Sequence, residues 1–97
     1  MAEARALIPT AQASLYLQQV CKHWAHKLAV EFTPAQGRIT FAPDQECELA
    51  ANGEGLEMRV RANDLEGVQR LERVVFAHIK RFAFREDLAE PAWTETP

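Results

Sequence analysis

The sequence lacks the features that mark several protein classes. Its two cysteines, Cys21 and Cys47, are too few for the disulfide framework of a small secreted domain. No apolar run approaches the roughly 18 residues that suggest a membrane span. The first residues do not show the basic segment and long apolar stretch of a secretory signal. We therefore expect a cytoplasmic protein with reduced thiols and no membrane span.

The chain also lacks a strong charge of either sign. It carries 11 lysines and arginines against 14 aspartates and glutamates, a formal net charge of −3. Nucleic-acid binders normally present a positive field, so we expect no nucleic-acid partner. At 97 residues and 47% hydrophobic content the chain predicts one globular domain, residues 1–97, with an acidic tail from Asp87 to Pro97.

Catalytic motifs are missing as well. There is no glycine-rich phosphate loop, no nucleophile elbow and no paired CxxC motif. The single serine, Ser14, has no acid–base partner implied by its position, and Cys47 lies on an apolar strand face where a thiol is inert. The sequence thus names no catalytic residue, and we lean towards a protein without enzymatic activity.

Two segments have the apolar spacing of amphipathic helices. The first runs from about Gln12 to Leu28 with Thr10 placed to cap it, and the second from about Asp64 to Ala83. Asn63 and Glu66 stand in capping-box spacing at the start of the second. Each helix presents one apolar stripe, which predicts that each packs on a core.

Between the helices the apolar period changes to two, which predicts four half-buried strands joined by short turns. A short strand from Arg5 to Ile8 precedes the first helix. Short turns require antiparallel neighbours. We predict an α+β two-layer sandwich in the order strand, helix, four strands, helix, with an antiparallel four- to five-stranded sheet and both helices on one face. The open face is expected to present Glu31, Thr33, Thr40, Glu48, Glu57, Arg59 and Arg61.

The first segment that attracts a functional hypothesis is CKHWAHK, from Cys21 to Lys27. On a helix, Cys21 and His23 are about 200° apart and cannot share an ion. His23 and His26, at i and i+3, can converge, and His78 of the second helix is a candidate third ligand. The alternative is that these histidines form local hydrogen bonds and that Cys21 belongs to the core.

The second segment is HIKRFAFRE, in which His78, Arg81 and Arg85 share one flank at i, i+3 and i+7. Guanidinium groups bind carboxylates and phosphates in bidentate fashion, so this strip is a candidate anion site. Its basic groups can equally be neutralised by the acidic residues that follow, which are Glu86, Asp87 and Glu90.

These two segments together resemble the signature of a small bacterial family, domain of unknown function 2218. The resemblance covers nearly the whole chain, with Ile79 where leucine is expected. It implies a compact cytoplasmic protein with the element order above, similar to the two-layer fold of TATA-binding-protein repeats and of the C-terminal domain of phosphohexomutases. It implies no established activity. An association with siderophore and iron-uptake genes is a contextual hint only.

Three functional hypotheses follow. The first is a non-enzymatic binding or accessory domain, linked to iron or siderophore handling, that takes a small anionic ligand or a protein partner. The second is a small metal- or anion-dependent enzyme that uses His23, His26 and His78. The third is structural, with Trp24 and Phe82 as core and Glu86 as a cap. We expect no cofactor, although the three histidines leave a bound metal ion as an open alternative. The strand from Arg5 to Ile8 offers an exposed sheet edge through which a homodimer could form.

Overall fold

The computed structural model describes all 97 residues and contains six strands and two helices. In chain order the elements are β1 (Ala2–Ile8), α1 (Ala13–Trp24), β2 (Ala29–Phe32), β3 (Gln36–Ala42), β4 (Gln45–Asn52), β5 (Gly55–Ala62), α2 (Leu65–Phe82) and β6 (Thr94–Thr96). The strands form one antiparallel sheet in the order β2-β3-β4-β5-β1-β6. The predicted α+β architecture is confirmed.

The sheet has one strand more than predicted. The additional strand, β6, consists of three exposed residues without apolar alternation, so the period-2 pattern does not reveal it. It pairs antiparallel with residues Glu3 to Arg5 of β1. Strand β1 also begins at Ala2 rather than Arg5 and lies between β5 and β6. We predicted that the strand from Arg5 to Ile8 forms a free edge of the sheet. This prediction is wrong at Arg5, because Arg5 pairs with Thr94 of β6.

Both helices pack on the same face of the sheet. Helix α1 lies over β3 and β4, whereas α2 lies over β5 and β1. The approach of α1 is close at Gly37, where an added Cβ would lie 2.7 Å from the Cys21 sulfur. A side chain at Gly37 would thus require the Cys21 side chain or α1 itself to shift. Neither helix combines the length and the apolar composition that a membrane crossing requires.

The helix termini differ from the predicted ones by a few residues. Helix α1 ends at Trp24, and the amides of Lys27 and Leu28 both donate to the Trp24 carbonyl oxygen, at 3.0 and 2.8 Å, in a turn that leads into β2. His26 therefore lies in that turn rather than on the helix. At the other end, Gln12 is the N-cap without a side-chain bond, and Thr10 Oγ1 instead accepts the Gln12 amide at 3.0 Å.

The start of α2 is capped one residue later than predicted. Asp64 is the N-cap and accepts the backbone amide of Gly67 at 2.8 Å, so the capping box of Asn63 and Glu66 is not formed. Asn63 instead donates to the carboxylate of Asp44 in the turn between β3 and β4. The shift leaves the apolar stripe of α2 on the sheet as predicted.

Candidate functional site between the helices

The two helices run antiparallel and bring the two signature segments into contact. The rings of His23 and Trp24, at the end of α1, meet those of His78 and Phe82 in the last turns of α2. Ring centroids are 5.6 Å apart for His23 and His78, 4.6 Å for Trp24 and His78, and 5.9 Å for His23 and Phe82. We call these four residues the interhelical cluster.

The interhelical cluster extends from the core to the surface. Trp24 is buried and packs edge-on against Phe41 of β3 with centroids 5.1 Å apart. His78 is half-buried, and its Nδ1 donates to the Val74 carbonyl oxygen at 2.8 Å. This bond fixes the ring and leaves Nε2 as the nitrogen that can meet a ligand. His23 is exposed and covers His78 from the side of α1.

The basic residues of the two segments form no ion pair with an acidic residue. Arg81 lies one turn after His78, whereas Arg85 lies in the turn that follows α2, because the helix ends at Phe82. The predicted i, i+3, i+7 flank is thus interrupted before Arg85, whose guanidinium carbon lies 5.6 Å from the Phe84 ring centre. All five ion pairs of the protein lie elsewhere. The unpaired basic residues of the two segments are Lys22, Lys27, Lys80, Arg81 and Arg85.

The carboxylate of Glu86 is directed to Tyr16 and Thr10 and not to these arginines. Its carboxylate accepts hydrogen bonds from the Tyr16 hydroxyl and from Thr10 Oγ1, the latter at 3.0 Å to both oxygens. Burial and the bond to Glu86 raise the pKa of Tyr16 to about 12, so the phenol remains a donor at all physiological pH values. Glu86 therefore has a structural role, because it connects the segment after α2 to Thr10 and to Tyr16 of α1. It forms no ion pair with Arg81 or Arg85.

We expect Tyr16→Phe to destabilise the protein by about 1.5–3 kcal/mol, because a hydrogen bond to a charged acceptor is lost at a buried residue. Urea unfolding measures this loss. In a Glu86→Gln background, where the acceptor is neutral, the same substitution should cost less. A cost below about 0.5 kcal/mol in the wild-type background would contradict the assigned bond.

The histidines do not assemble into a three-ligand centre. His23 and His78 are in contact, but His26 is exposed in the turn after α1. No three His, Cys, Asp or Glu side chains are grouped so that they could hold one metal ion. The cysteines add no reactive group, because burial raises the pKa of the Cys21 thiol to about 11 and that of Cys47 further still.

The open face of the sheet holds a groove of about 840 Å³. Its polar side chains include the predicted Arg59 and Glu48, together with Arg5 and Arg38, which the prediction of this face omitted. The arginines of this face are neutralised by neighbouring carboxylates. The pairs are Arg5–Glu3 at 3.2 Å, Arg38–Glu46 at 2.8 Å, Arg59–Glu3 at 3.3 Å, Arg59–Glu48 at 3.7 Å and Arg61–Glu46 at 3.0 Å.

Comparisons with known proteins agree with this architecture. Residues 5–94 match the profile of a family described as uncharacterized protein conserved in bacteria (DUF2218). The chain is also similar to the NMR structure of PA4090 from Pseudomonas aeruginosa, with 29% sequence identity and a TM-score of 0.73. That similarity covers 99% of this chain and 95% of the other. No curated protein matches the sequence.

Proposed function

Because this chain belongs to the bacterial family DUF2218, whose description names no activity, we propose a function from the chemistry of its own site. We propose that the protein is a non-enzymatic binding domain. Its interhelical cluster, with Arg81 and Arg85 beside it, takes a small anionic ligand through a carboxylate or phosphate group.

The observation that supports this proposal is the contrast between the two faces of the molecule. On the sheet, Arg5, Arg38, Arg59 and Arg61 all have glutamate partners, so an incoming anion would have to displace a carboxylate. The basic groups of the two helix segments form no ion pair, and the adjacent Glu86 binds Tyr16 and Thr10 instead. An anion therefore gains more at the helices.

The cluster also offers groups with complementary roles. Arg81 and Arg85 can bind a carboxylate or phosphate in bidentate fashion. The free Nε2 of His78 can accept a hydrogen bond when neutral or donate one when protonated. The exposed ring of His23 and the half-buried ring of Phe82 supply an apolar surface for the remainder of the ligand. The site thus suits a ligand that is anionic at one end.

Calorimetric titration with citrate and with inorganic phosphate tests the proposal. We expect citrate to bind the wild-type protein, and Arg81→Gln/Arg85→Gln to weaken that binding at least tenfold, since one charge-assisted hydrogen bond is worth about 1.5–3 kcal/mol. The matched control is Arg70→Gln/Arg73→Gln, which removes the same charge from exposed positions nearer the start of α2. An equal loss of affinity in the control would contradict the proposal.

The same titration addresses the link to iron. Ferric citrate is a metal complex of the same ligand chemistry, so it can be compared directly with citrate alone. If the domain serves iron handling, we expect ferric citrate to bind at least tenfold more tightly than citrate, and the two arginine substitutions to weaken both. If citrate and ferric citrate bind with equal affinity, the site is a general anion site, and this result would contradict a role in iron handling.

A further inference from the structure

The C-terminal strand β6 is held at the edge of the sheet by few contacts. Its three residues are exposed, and its pairing partners are Glu3 to Arg5 of β1. Thr94 and Thr96 share the open face, whereas Glu95, opposite the buried Ala4, points to the side covered by α2. Glu95 is therefore the β6 side chain that meets the helix.

On α2, Glu95 meets a second carboxyl group. Glu95 reaches the flank of α2 that carries Gln69 and, one turn later, Glu72, and a side-chain hydrogen bond between Glu72 and Glu95 helps to raise the pKa of Glu72. Gln69 Nε2 donates to Glu95 Oε1 at 3.5 Å. Glu72 Oε2 is shielded from solvent and has no partner among the donors of the protein. Two neighbouring carboxylates repel each other when both are ionised. A single proton shared between them replaces this repulsion with a hydrogen bond.

The surroundings do little to neutralise a second negative charge. Arg73 is the basic group that acts on Glu72, and it favours the ionised form. On the helix-facing side β1 contributes only apolar residues, which are Ala2, Ala4, Ala6 and Ile8. Burial, and next the hydrogen bond with Glu95, outweigh Arg73 and raise the pKa of Glu72 to about 7. The pair titrates as a unit, so this value belongs to the shared proton.

We propose that Glu72 and Glu95 form a proton-controlled latch, which holds β6 on the sheet while they share a proton and releases the strand when the proton is lost. Release uncovers the backbone hydrogen-bonding groups of Glu3 to Arg5 in β1. An uncovered strand edge is a template for pairing with another strand. The latch thus controls whether this edge of the sheet is available, and it operates independently of the interhelical cluster.

The direction of the pH effect follows from linkage. In the closed state the pair keeps its proton up to a pH of about 7, whereas a released, solvated glutamate has an ordinary pKa near 4.5. The closed state thus binds more protons between these values, and closure weakens as pH rises through that window. Opening should increase by up to about tenfold per pH unit and level off near pH 8.

Amide hydrogen exchange measured by NMR, expressed as protection factors corrected for the intrinsic rate, tests the latch. For the wild-type protein we expect protection of the β6 amides to fall at least tenfold between pH 5 and pH 8. Glu72→Gln keeps a hydrogen-bond donor without the charge, and it should hold protection at the wild-type pH 5 level throughout. The control, Glu66→Gln, changes an exposed glutamate in the first turn of α2 and should retain the wild-type fall.

Three outcomes would overturn the latch. One is wild-type protection in β6 that does not change between pH 5 and pH 8. Another is a fall of the same size in Glu72→Gln, because the titrating group would then lie elsewhere. The third is loss of the fall in Glu66→Gln, which would point to the overall charge of α2 rather than to the carboxyl pair.

Discussion

Gly55→Ala is expected to destabilise the protein by about 3–5 kcal/mol, a large part of the stability of a small domain. Gly55 has a φ of +144°, in a region that L-residues rarely adopt. A Cβ at this position would lie 2.1 Å from the Ile8 carbonyl oxygen and 2.9 Å from the Pro9 Cα, both backbone atoms that have no other rotamer. The first residue of β5 would be forced away from the end of β1. Urea or thermal unfolding measures the loss.

Gly53 provides a matched control in the same hairpin. It lies in the turn between β4 and β5, its φ is not positive, and an added Cβ meets no atom within 4 Å. Gly53→Ala should therefore change stability by no more than about 0.5–1 kcal/mol, in the stabilising direction if the turn tolerates the lower freedom of alanine. Similar losses for Gly53→Ala and Gly55→Ala would contradict the assigned packing of β5 on β1.

Trp24→Ala carries the second large effect, an expected loss of about 3–5 kcal/mol. The indole is buried between Phe41 of β3 and His78 of α2, so its removal leaves a cavity where both helices meet the sheet. The imidazole of His78 also loses the surface on which it rests. Unfolding in urea should show the loss, and the histidine resonances should report a displaced His78 ring in the remaining folded protein.

Exposed members of the signature segments should behave differently. We expect His23→Ala and Arg85→Ala each to cost less than about 1 kcal/mol, because both side chains are exposed and Arg85 makes no ion pair. If each costs several kcal/mol instead, the two segments are scaffolding that locks the helices together. That result would favour the structural hypothesis over ligand binding.

The fold was predictable as far as periodicity reaches. The two apolar stripes and the alternating strands predict the elements from β1 to α2, and most of these elements bury one regular face. Strand β2 is the exception: none of its residues is buried, and Phe32, predicted on its apolar face, is exposed. Strand β6 has no such face, and its pairing with Glu3 to Arg5 of β1 joins residues about 90 positions apart, which no local pattern encodes. The apolar pattern predicts that α1 continues to Leu28, four residues beyond its actual end, because no glycine or proline marks Trp24 as the last helical residue.

The sequence predicts which residues form the candidate site better than it predicts their hydrogen-bond and ion-pair partners. Helical spacing places His78 and Arg81 on one flank, and it indicates that His23 faces the neighbouring helix. It does not reveal that Glu86 binds Tyr16, because partners 70 residues apart depend on the packing of the whole chain. The lack of ion pairs at Arg81 and Arg85 likewise becomes apparent only in the folded structure.

A map of NMR chemical-shift changes during titration with citrate distinguishes the two candidate binding sites of the protein. We predict the largest changes at the interhelical cluster and at Arg81 and Arg85, with saturation at a common dissociation constant. The alternative site is the groove on the open sheet, where Arg5 and Arg59 lie among glutamates. Larger saturating changes at Arg5 and Arg59 than at His78 and Arg81 would contradict binding between the helices and would place the binding site on the sheet.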